Sequence, residues 1–513
     1  MKKYKFLFVL LFLLLTAISC KKHVSSTISG PGTVYISGKI IGSIPKDSVK
    51  FILEGEIPFN PKIGGNEIIV ETDGDGKFKY RSPVIDKPGR ITLFAFRKRP
   101  GEMGSRFNDA LRNYLIAPGD SIHMVIDKTK EETSFSFSGR GAEKFKCRWS
   151  VDQHGYTANP RMYDERRKTY DLNVLDRYRR RVELADSIID VQIGELNKHR
   201  KGLSREIYQI IKADIIGDTN SHLKDFWYLR LSNENVGEDE ISELRKMIDQ
   251  SGISGIDNDL LAMSPFYIRF LSLKTIAELC ITHPEQKEYE FKNIYVKRFG
   301  DLCAVWKNQY EGILREKLLL FNLQNLKVQD TDGLNACLKE SYVLFQTPSL
   351  RKIIEDWYGK KTKGVAAFDF ALPDTTGRMV RLSDFRGKVV YIDIWFTGCG
   401  GCASLAEKVD KLVYPKFRDN PEVVFVSISG DKNKERWLKS VEGEKYGLKE
   451  YVNLYTNGEG FDHPFMKYYG IRGGPTTMLI DKEGNIYSAA PPKQGDDKKM
   501  KALIALIEEA LIE

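Results

Sequence analysis

Two cysteines three apart, Cys399 and Cys402, stand just behind Val389-Val390-Tyr391-Ile392-Asp393-Ile394-Trp395, a run that is apolar on both alternating faces. A strand with one wet face alternates polar and apolar residues. A run apolar on both faces belongs in the middle of a sheet covered on both sides. Leu405, Val409 and Leu412 then recur at steps of four and three, which marks one face of a helix. The cysteine pair is therefore predicted where a central strand hands over to a helix N-terminus. Residues 423–428 and 476–480 read as further buried strands, with Pro475 just before the second. Met500, Leu503, Ile504, Ile507 and Leu511 outline a closing helix. Residues 364–513 thus read as an α/β domain.

The pattern Cys399-Gly400-Gly401-Cys402 suits disulfide exchange for a physical reason. Exchange needs a thiolate, and a free cysteine with a pKa of about 8.5 is mostly protonated at neutral pH. A helix N-terminus stabilises an anion there by about 0.3–1 kcal/mol, up to about 2 in good geometry. That corresponds to about one pKa unit. Further depression must come from backbone N–H donors, which Gly400 and Gly401 leave accessible. Cys399 is expected as the nucleophile. Cys402, one turn in, is expected as the thiol that resolves the mixed disulfide.

The N-terminus speaks to compartment. Lys2, Lys3 and Lys5 precede an apolar run over residues 6–15, too short to span a bilayer of about 30 Å as a helix. It reads as the core of a signal peptide over residues 1–19. The run ends in Thr16-Ala17-Ile18-Ser19-Cys20, which resembles a bacterial lipobox and implies cleavage before Cys20 and lipidation of that thiol. Loss of the three lysines takes the formal charge from +9 to +6. The basic run Arg177, Arg179, Arg180 and Arg181 reads as a solvated helix face, and a nucleic-acid partner is not expected. Of the seven cysteines, Cys147, Cys280, Cys303 and Cys337 remain. Their spacing fits no metal site. They read as buried free thiols, with a Cys280–Cys303 bridge as the pairing entertained, since an oxidising compartment permits disulfides.

Residues 20–32 are small and polar and read as a tether. Residues 33–140 alternate at strand period between turn signals, as in Val49, Phe51 and Leu53, or Ile91, Leu93 and Ala95. They suggest an N-terminal β-sandwich-like domain. Asp73-Gly74-Asp75-Gly76 reads as a hairpin turn, because a calcium loop begun at Glu71 would need a glutamate where Ser82 stands. Residues 142–360 change to helical periods. Leu175, Tyr178, Val182, Ala185, Ile189, Ile193 and Leu196 form one stripe of a mostly α-helical middle domain. No pattern calls for a metal, a nucleotide or another cofactor.

The matching stretches 368–395, Cys399 to Cys402, and Ile471-Arg472-Gly473-Gly474-Pro475 through Asp481 resemble the TlpA/ResA-type thioredoxin-like thiol-disulfide oxidoreductases, relatives of the AhpC/TSA peroxiredoxins. The resemblance implies a thioredoxin fold over residues 364–513 at the C-terminus of a multidomain lipoprotein. It implies that Asp393 relays the proton of Cys402, with Ser427 where small thioredoxins often place a lysine. It implies that Pro475 is cis beside the redox pair, and that Gly474, Gly398 and Trp395 meet substrate. Three departures stand out: Gly398 replaces the usual tryptophan before the first cysteine, Gly401 the usual proline between the cysteines, and Glu407 the early proline of the helix. They point to a more open and flexible active-site edge. Residues 432–460 fit an insertion of the family.

The expected function is a lipid-anchored oxidoreductase on the periplasmic face of the cell envelope. It would exchange disulfides with protein partners, as a reductase fed by a membrane electron donor. Two alternatives are a thiol peroxidase, and an envelope binding lipoprotein whose thioredoxin domain is a scaffold. The peroxidase is disfavoured by Phe396 where peroxiredoxins carry threonine.

Overall fold

The computed structural model describes residues 31–513 apart from 44–46, 56–65, 97–109, 130–132, 156–163, 165, 166, 170, 224–235, 251, 288–292, 295, 296, 324–330 and 494–496. The 1–19 leader, Cys20 and nearly all of the 20–32 tether lie outside the described residues. The chain forms two compact units. The first takes the described parts of residues 1–168, 183–219 and 263–266, the second those of 169–182, 220–262 and 267–513.

The first unit holds β1 (Tyr35–Ile41), β2 (Ser48–Leu53), β3 (Asn66–Glu71), β4 (Lys77–Arg81), β5 (Gly89–Phe96), β6 (Ala110–Ile116), β7 (Ser121–Asp127) and β8 (Ser134–Arg140). They form two four-stranded sheets, in the orders β4-β1-β7-β8 and β3-β2-β5-β6. Strand-period alternation sends Ile36 and Ile40, Phe78 and Tyr80, and Ile122, Met124 and Ile126 to the inner face of one sheet. Val49, Phe51, Ile91, Leu93 and Ala95 of the other sheet join the same apolar cluster. Phe51 stacks on Tyr80 across the two sheets with centroids 4.3 Å apart. β1 pairs with β7 in parallel, while the other pairings are antiparallel.

The turn at Asp73–Gly76 departs from its sequence reading. It does not close a hairpin, because β3 and β4 lie in different sheets. The Asp73 carboxylate accepts from the Asp75 and Lys77 amides at 3.0 and 2.8 Å, so its charge is spent on the corner itself. In the same unit Arg90 of β5 donates twice to Asp214, at 2.6 and 3.0 Å, and to the carbonyl of Asn113 at 2.9 Å. Arg148, on helix α1 (Ala142–Asp152), reaches the same carboxylate at 3.4 Å and Asp152 at 2.8 Å. Buried charges survive when hydrogen-bonded in this way, and removing one partner strands the others.

Helix α2 (Val174–Lys198) buries Leu175, Tyr178, Ala185 and Leu196 as its stripe predicts, but the line between them runs through Arg181, Ile188 and Gln192. Arg181 is thus a correction to the solvated basic face. It is 1% exposed, and its Nε donates to Thr169 Oγ1 at 2.9 Å. After α3 (Arg205–Leu223), the second unit adds α4 (Glu238–Asp249), α5 (Pro265–Thr282), α6 (Phe299–Gln309), α7 (Gly312–Leu323), α8 (Thr331–Leu344) and α9 (Pro348–Lys361). The buried Glu316 carboxylate of α7 accepts from the amides of Gln346 and Thr347, placing negative charge at the N-terminus of α9. Cys303 of α6 and Cys337 of α8 form a disulfide, with Cα atoms 5.9 Å apart. The entertained Cys280–Cys303 pairing is therefore wrong: Cys280, like Cys147, is a buried free thiol. Facing positions on two packed helices, not sequence proximity, decided the partner. Among the described residues no helix is long and apolar enough to cross a membrane.

The rest of the second unit has a thioredoxin-like fold. A short hairpin of β9 (Ala371–Pro373) and β10 (Met379–Arg381) precedes a five-stranded sheet of order β13-β12-β11-β14-β15. Its strands are β11 (Val389–Trp395), β12 (Val423–Ser429), β13 (Val452–Tyr455), β14 (Thr476–Ile480) and β15 (Ile486–Ser488). All seven residues of β11 are buried. Val390, Ile392 and Ile394 enter one core, and Val389 and Tyr391 the opposite one. Helices α10 (Gly400–Lys408), α11 (Lys434–Glu442), α12 (Pro464–Tyr469) and α13 (Asp497–Ile512) complete the fold. Past α10 the chain makes a π-turn over Val409–Val413. The extra residue shifts the buried register, so Val413 and not the expected Leu412 follows Leu405 and Val409 inward.

The Cys303–Cys337 bond closes a loop of 34 residues. Replacing both cysteines by serine is expected to cost about 4 kcal/mol by the chain-entropy argument. A denaturant titration of the double variant measures that loss, and exchange at Cys399–Cys402 should be unaffected.

Candidate active site

The end of β11 sets the site. Trp395 is the last strand residue, residues 396–398 make the loop, and Cys399 is the N-cap of α10. Cys399 and Cys402 are joined by a disulfide, with Cα atoms 5.3 Å apart. The two sulfurs differ in access: Cys399 keeps 8% exposure and Cys402 none. Cys399 Sγ accepts the Cys402 amide at 3.1 Å, a backbone donor aimed where a thiolate would sit. A β-carbon at Gly400 would meet nothing within 4 Å, so the approach to the pair is open.

The loop before Cys399 is open but not slack. Gly398 is exposed, with φ +98, a conformation that favours glycine. Its amide donates to Tyr446 Oη at 2.8 Å. The Thr397 amide and hydroxyl donate to the Asp431 carboxylate, the hydroxyl at 2.7 Å. Arg436 Nη2 donates to the Thr397 carbonyl at 2.9 Å. Ser440 meets the Thr397 hydroxyl at 2.8 Å. Arg436, Ser440 and Tyr446 all belong to the 432–460 insertion. Against the expectation of a more open and flexible edge, residues 397 and 398 are held by side chains of Asp431, Arg436, Ser440 and Tyr446, where the usual tryptophan before Cys399 is missing. Thr397 is committed to Asp431, which leaves no free threonine hydroxyl of the peroxidase kind beside Cys399.

The peptide bond between Gly474 and Pro475 is cis. Gly474 lies against the redox pair. A β-carbon there would be 2.7 Å from Cys402 Sγ and 2.7 Å from the carbonyl oxygen of Ile394. Glycine is required by this close approach and not by its φ. Trp395 sits elsewhere than the resemblance implies. It is 1% exposed, stacks on Tyr446 with centroids 4.5 Å apart, and donates from Nε1 to Ser427 Oγ at 2.6 Å. It supports the loop from beneath, whereas Gly398 and Gly474 lie nearer the surface edge.

Asp393 is buried in the middle of β11, paired in register with Ser427 on one side and Thr477 on the other. Its Oδ1 has no hydrogen-bond partner. Burial pushes its carboxyl up to about 7, against the pull of the Lys493 ammonium and with a further push from Asp410. Asp410, in the π-turn, is itself raised to about 6 by burial, although Tyr451 donates to it at 2.6 Å. Ser427 does not replace the lysine of small thioredoxins, because its hydroxyl holds the Trp395 indole. Sequence reasoning missed Lys493, Asp431, Arg436 and Tyr446. Asp431 carried a faint signal as an acid just beyond a buried strand, and the others carried none.

Three comparisons bear on this geometry. The Redoxin family model matches residues 362–504. The chain is similar to the thiol-disulfide oxidoreductase ResA of Geobacillus thermodenitrificans, 31% identical over 139 residues, which cover 26% of this chain and 74% of the relative. ResA of Bacillus cereus is 29% identical over 137 residues with the same coverage. Among solved structures, a thiol:disulfide interchange protein from Bacteroides sp. is 30% identical, covering 28% of this chain and 88% of its own, with a TM-score of 0.24.

Two outcomes follow from the site. Gly474→Ala forces a β-carbon against Cys402 and the Ile394 carbonyl, so thermal unfolding should show a loss of about 1–3 kcal/mol and reduction by dithiothreitol should slow. Asp393 binds a proton in the folded protein at pH values where the unfolded chain does not, so its burial destabilises increasingly from about pH 4 to pH 7. Asp393→Asn in the oxidised protein should therefore be more stable than wild type at pH 8, by roughly 4 kcal/mol with the carboxyl raised by burial to about 7. The gain should vanish near pH 4 in urea titrations at the two pH values.

Proposed function

Because residues 362–504 make this chain a member of the ResA family of thiol-disulfide oxidoreductases, we propose that it acts as a lipid-anchored, extracytoplasmic reductase of protein disulfides. Its C-terminal domain is a thioredoxin-like protein disulfide oxidoreductase, and the substrates of such an enzyme are protein disulfides or dithiols. The observation that carries the reading is the unequal access of the two sulfurs at the start of α10, beside a cis-proline. Cys399 thiolate attacks one sulfur of a client disulfide and the client's other sulfur leaves as thiolate. Cys402 then passes its proton to Asp393 and attacks Cys399 Sγ. The Cys399–client bond breaks, the client's second sulfur leaves with the electron pair, and the Cys399–Cys402 disulfide forms. Two electrons have moved to the client. A dithiol partner, in this reading a membrane electron donor, returns them.

Gly398 and Gly474 suit an extended client segment, because each leaves backbone groups at the edge with no side chain over them. The leader and Cys20 support export and lipid attachment, with the active site on the periplasmic face of the envelope. The buried Cys303–Cys337 disulfide supports the same compartment, since such bonds form and persist where the surroundings oxidise.

In this reading Cys402→Ser accumulates client mixed disulfides through Cys399, and Cys399→Ser accumulates none, as read on non-reducing gels. The reduction potential of the Cys399–Cys402 pair decides direction. A value near the thioredoxin end, about −270 mV, fits the reductase, whereas one near about −120 mV would make the protein a disulfide donor.

A further inference from the structure

The segment after β15 reads Ala489-Ala490-Pro491-Pro492-Lys493. Two consecutive prolines fix φ and restrict the residues before them, so the segment is a stiff arm. Thr477 of β14, the register partner of Asp393, approaches the Pro491 carbonyl from Oγ1 at 3.5 Å. The arm delivers Lys493, whose Nζ donates to the carbonyl oxygen of the cis-proline Pro475 at 3.0 Å. Asp393 is faced by Ser427 and Thr477 from the neighbouring strands, by Asp410 from the π-turn and by Tyr391 from its own strand. Ser427 is engaged by Trp395, and Asp410 repels a second negative charge. Among the described residues, Lys493 is the cation whose field acts on Asp393.

We infer that Lys493 is a positioning residue for the resolving step, its ammonium holding the cis-proline carbonyl at the end of a stiff arm that lies against Thr477, the register partner of Asp393. The inference rests on the proton relay of the proposed function. A carboxylate buried without a cation is already protonated near neutrality and has no room for the proton of Cys402. With the Lys493 ammonium pulling against burial, Asp393 accepts that proton as Cys402 attacks Cys399 Sγ, and the leaving sulfur departs with its electron pair. Lys493 keeps its own proton throughout. The arm also couples the relay to the cis-proline loop, because one ammonium serves both.

The reduced full chain reacting with dithiobis(nitrobenzoate) releases two thionitrobenzoates. The first comes from attack by Cys399 and the second from resolution by Cys402. Lys493→Met should leave the first release unchanged, slow the second about tenfold at pH 7, and move its pH midpoint up by about one unit. Lys493→Arg should restore the second release to within about twofold, because it keeps the charge, and this variant decides the matter if the methionine protein melts early. On an Asp393→Asn background, Lys493→Met should add nothing. If Asp393→Asn alone leaves the second release at its wild-type rate, the relay itself is wrong. If Asp393→Asn slows it and Lys493→Met does not, the relay stands and Lys493 has no part in it. If Lys493→Met slows the second release equally with and without Asp393, the lysine acts through the Pro475 carbonyl alone and the inference falls.

Discussion

Complete burial of β11 is the constraint on which the active site depends. One core packs on Val390, Ile392 and Ile394, and another on Val389 and Tyr391. A strand held from both sides ends at a fixed point, so the loop and the helix that follow inherit a fixed origin. The Trp395 carbonyl accepts the Gly430 amide at 2.8 Å, tying that end to the strand beside it. The same burial sets the Asp393 carboxyl apart from an ordinary one. A carboxyl on the surface of this fold would be ionised and indifferent near neutrality. In the middle of β11, burial pushes it up to about 7.

Chemistry in this chain is decided by where a disulfide sits. Cys303–Cys337 and Cys399–Cys402 are the same bond with Cα separations of 5.9 and 5.3 Å. Cys303 and Cys337 lie within helices α6 and α8, 1% and 2% exposed, away from any helix N-terminus of their own. Attack on either sulfur would need the packed helices to part. Cys399 instead caps a helix, accepts a backbone N–H and keeps a partly exposed edge. One pair is a brace and the other an exchanger, so a redox-active disulfide and a structural one can share one polypeptide.

Much of the C-terminal fold and the redox pair was legible because their signals are local. A run apolar on both faces, a Cys-x-x-Cys at its end and a proline opening a later strand each lie within a few residues. What was not legible depends on pairings across long stretches of chain. Cys303 finds Cys337 across 34 residues, and no spacing announces it. The polar line of α2 through Arg181 and Gln192 breaks an apolar stripe because buried partners, Thr169 and Thr219, satisfy those side chains. The π-turn exchanges Leu412 for Val413 by one inserted residue, a shift that helical periodicity cannot express. The resemblance places Trp395 toward substrate, yet its stacking on Tyr446 turns the ring inward, a contact with a residue about fifty positions on that no local pattern shows.

The departures Gly398, Gly401 and Glu407 look at first like losses of stiffness. The 432–460 insertion offsets the first of them. Asp431 gathers Thr397 and Ser429, Tyr446 accepts the Gly398 amide, and Arg436 closes on the Thr397 carbonyl. Most of these partners are themselves anchored: Trp395 stacks on Tyr446, Asp431 is buried, and Trp437 is buried on the inner face of α11. A loop fixed by hydrogen bonds from below needs no bulky side chain above it. The edge beside Cys399 can then be bare and still be held in one arrangement. The glycines and residues 431–446 are two halves of one arrangement: the first remove side chains from the edge beside the redox pair, and the second hold that edge in place.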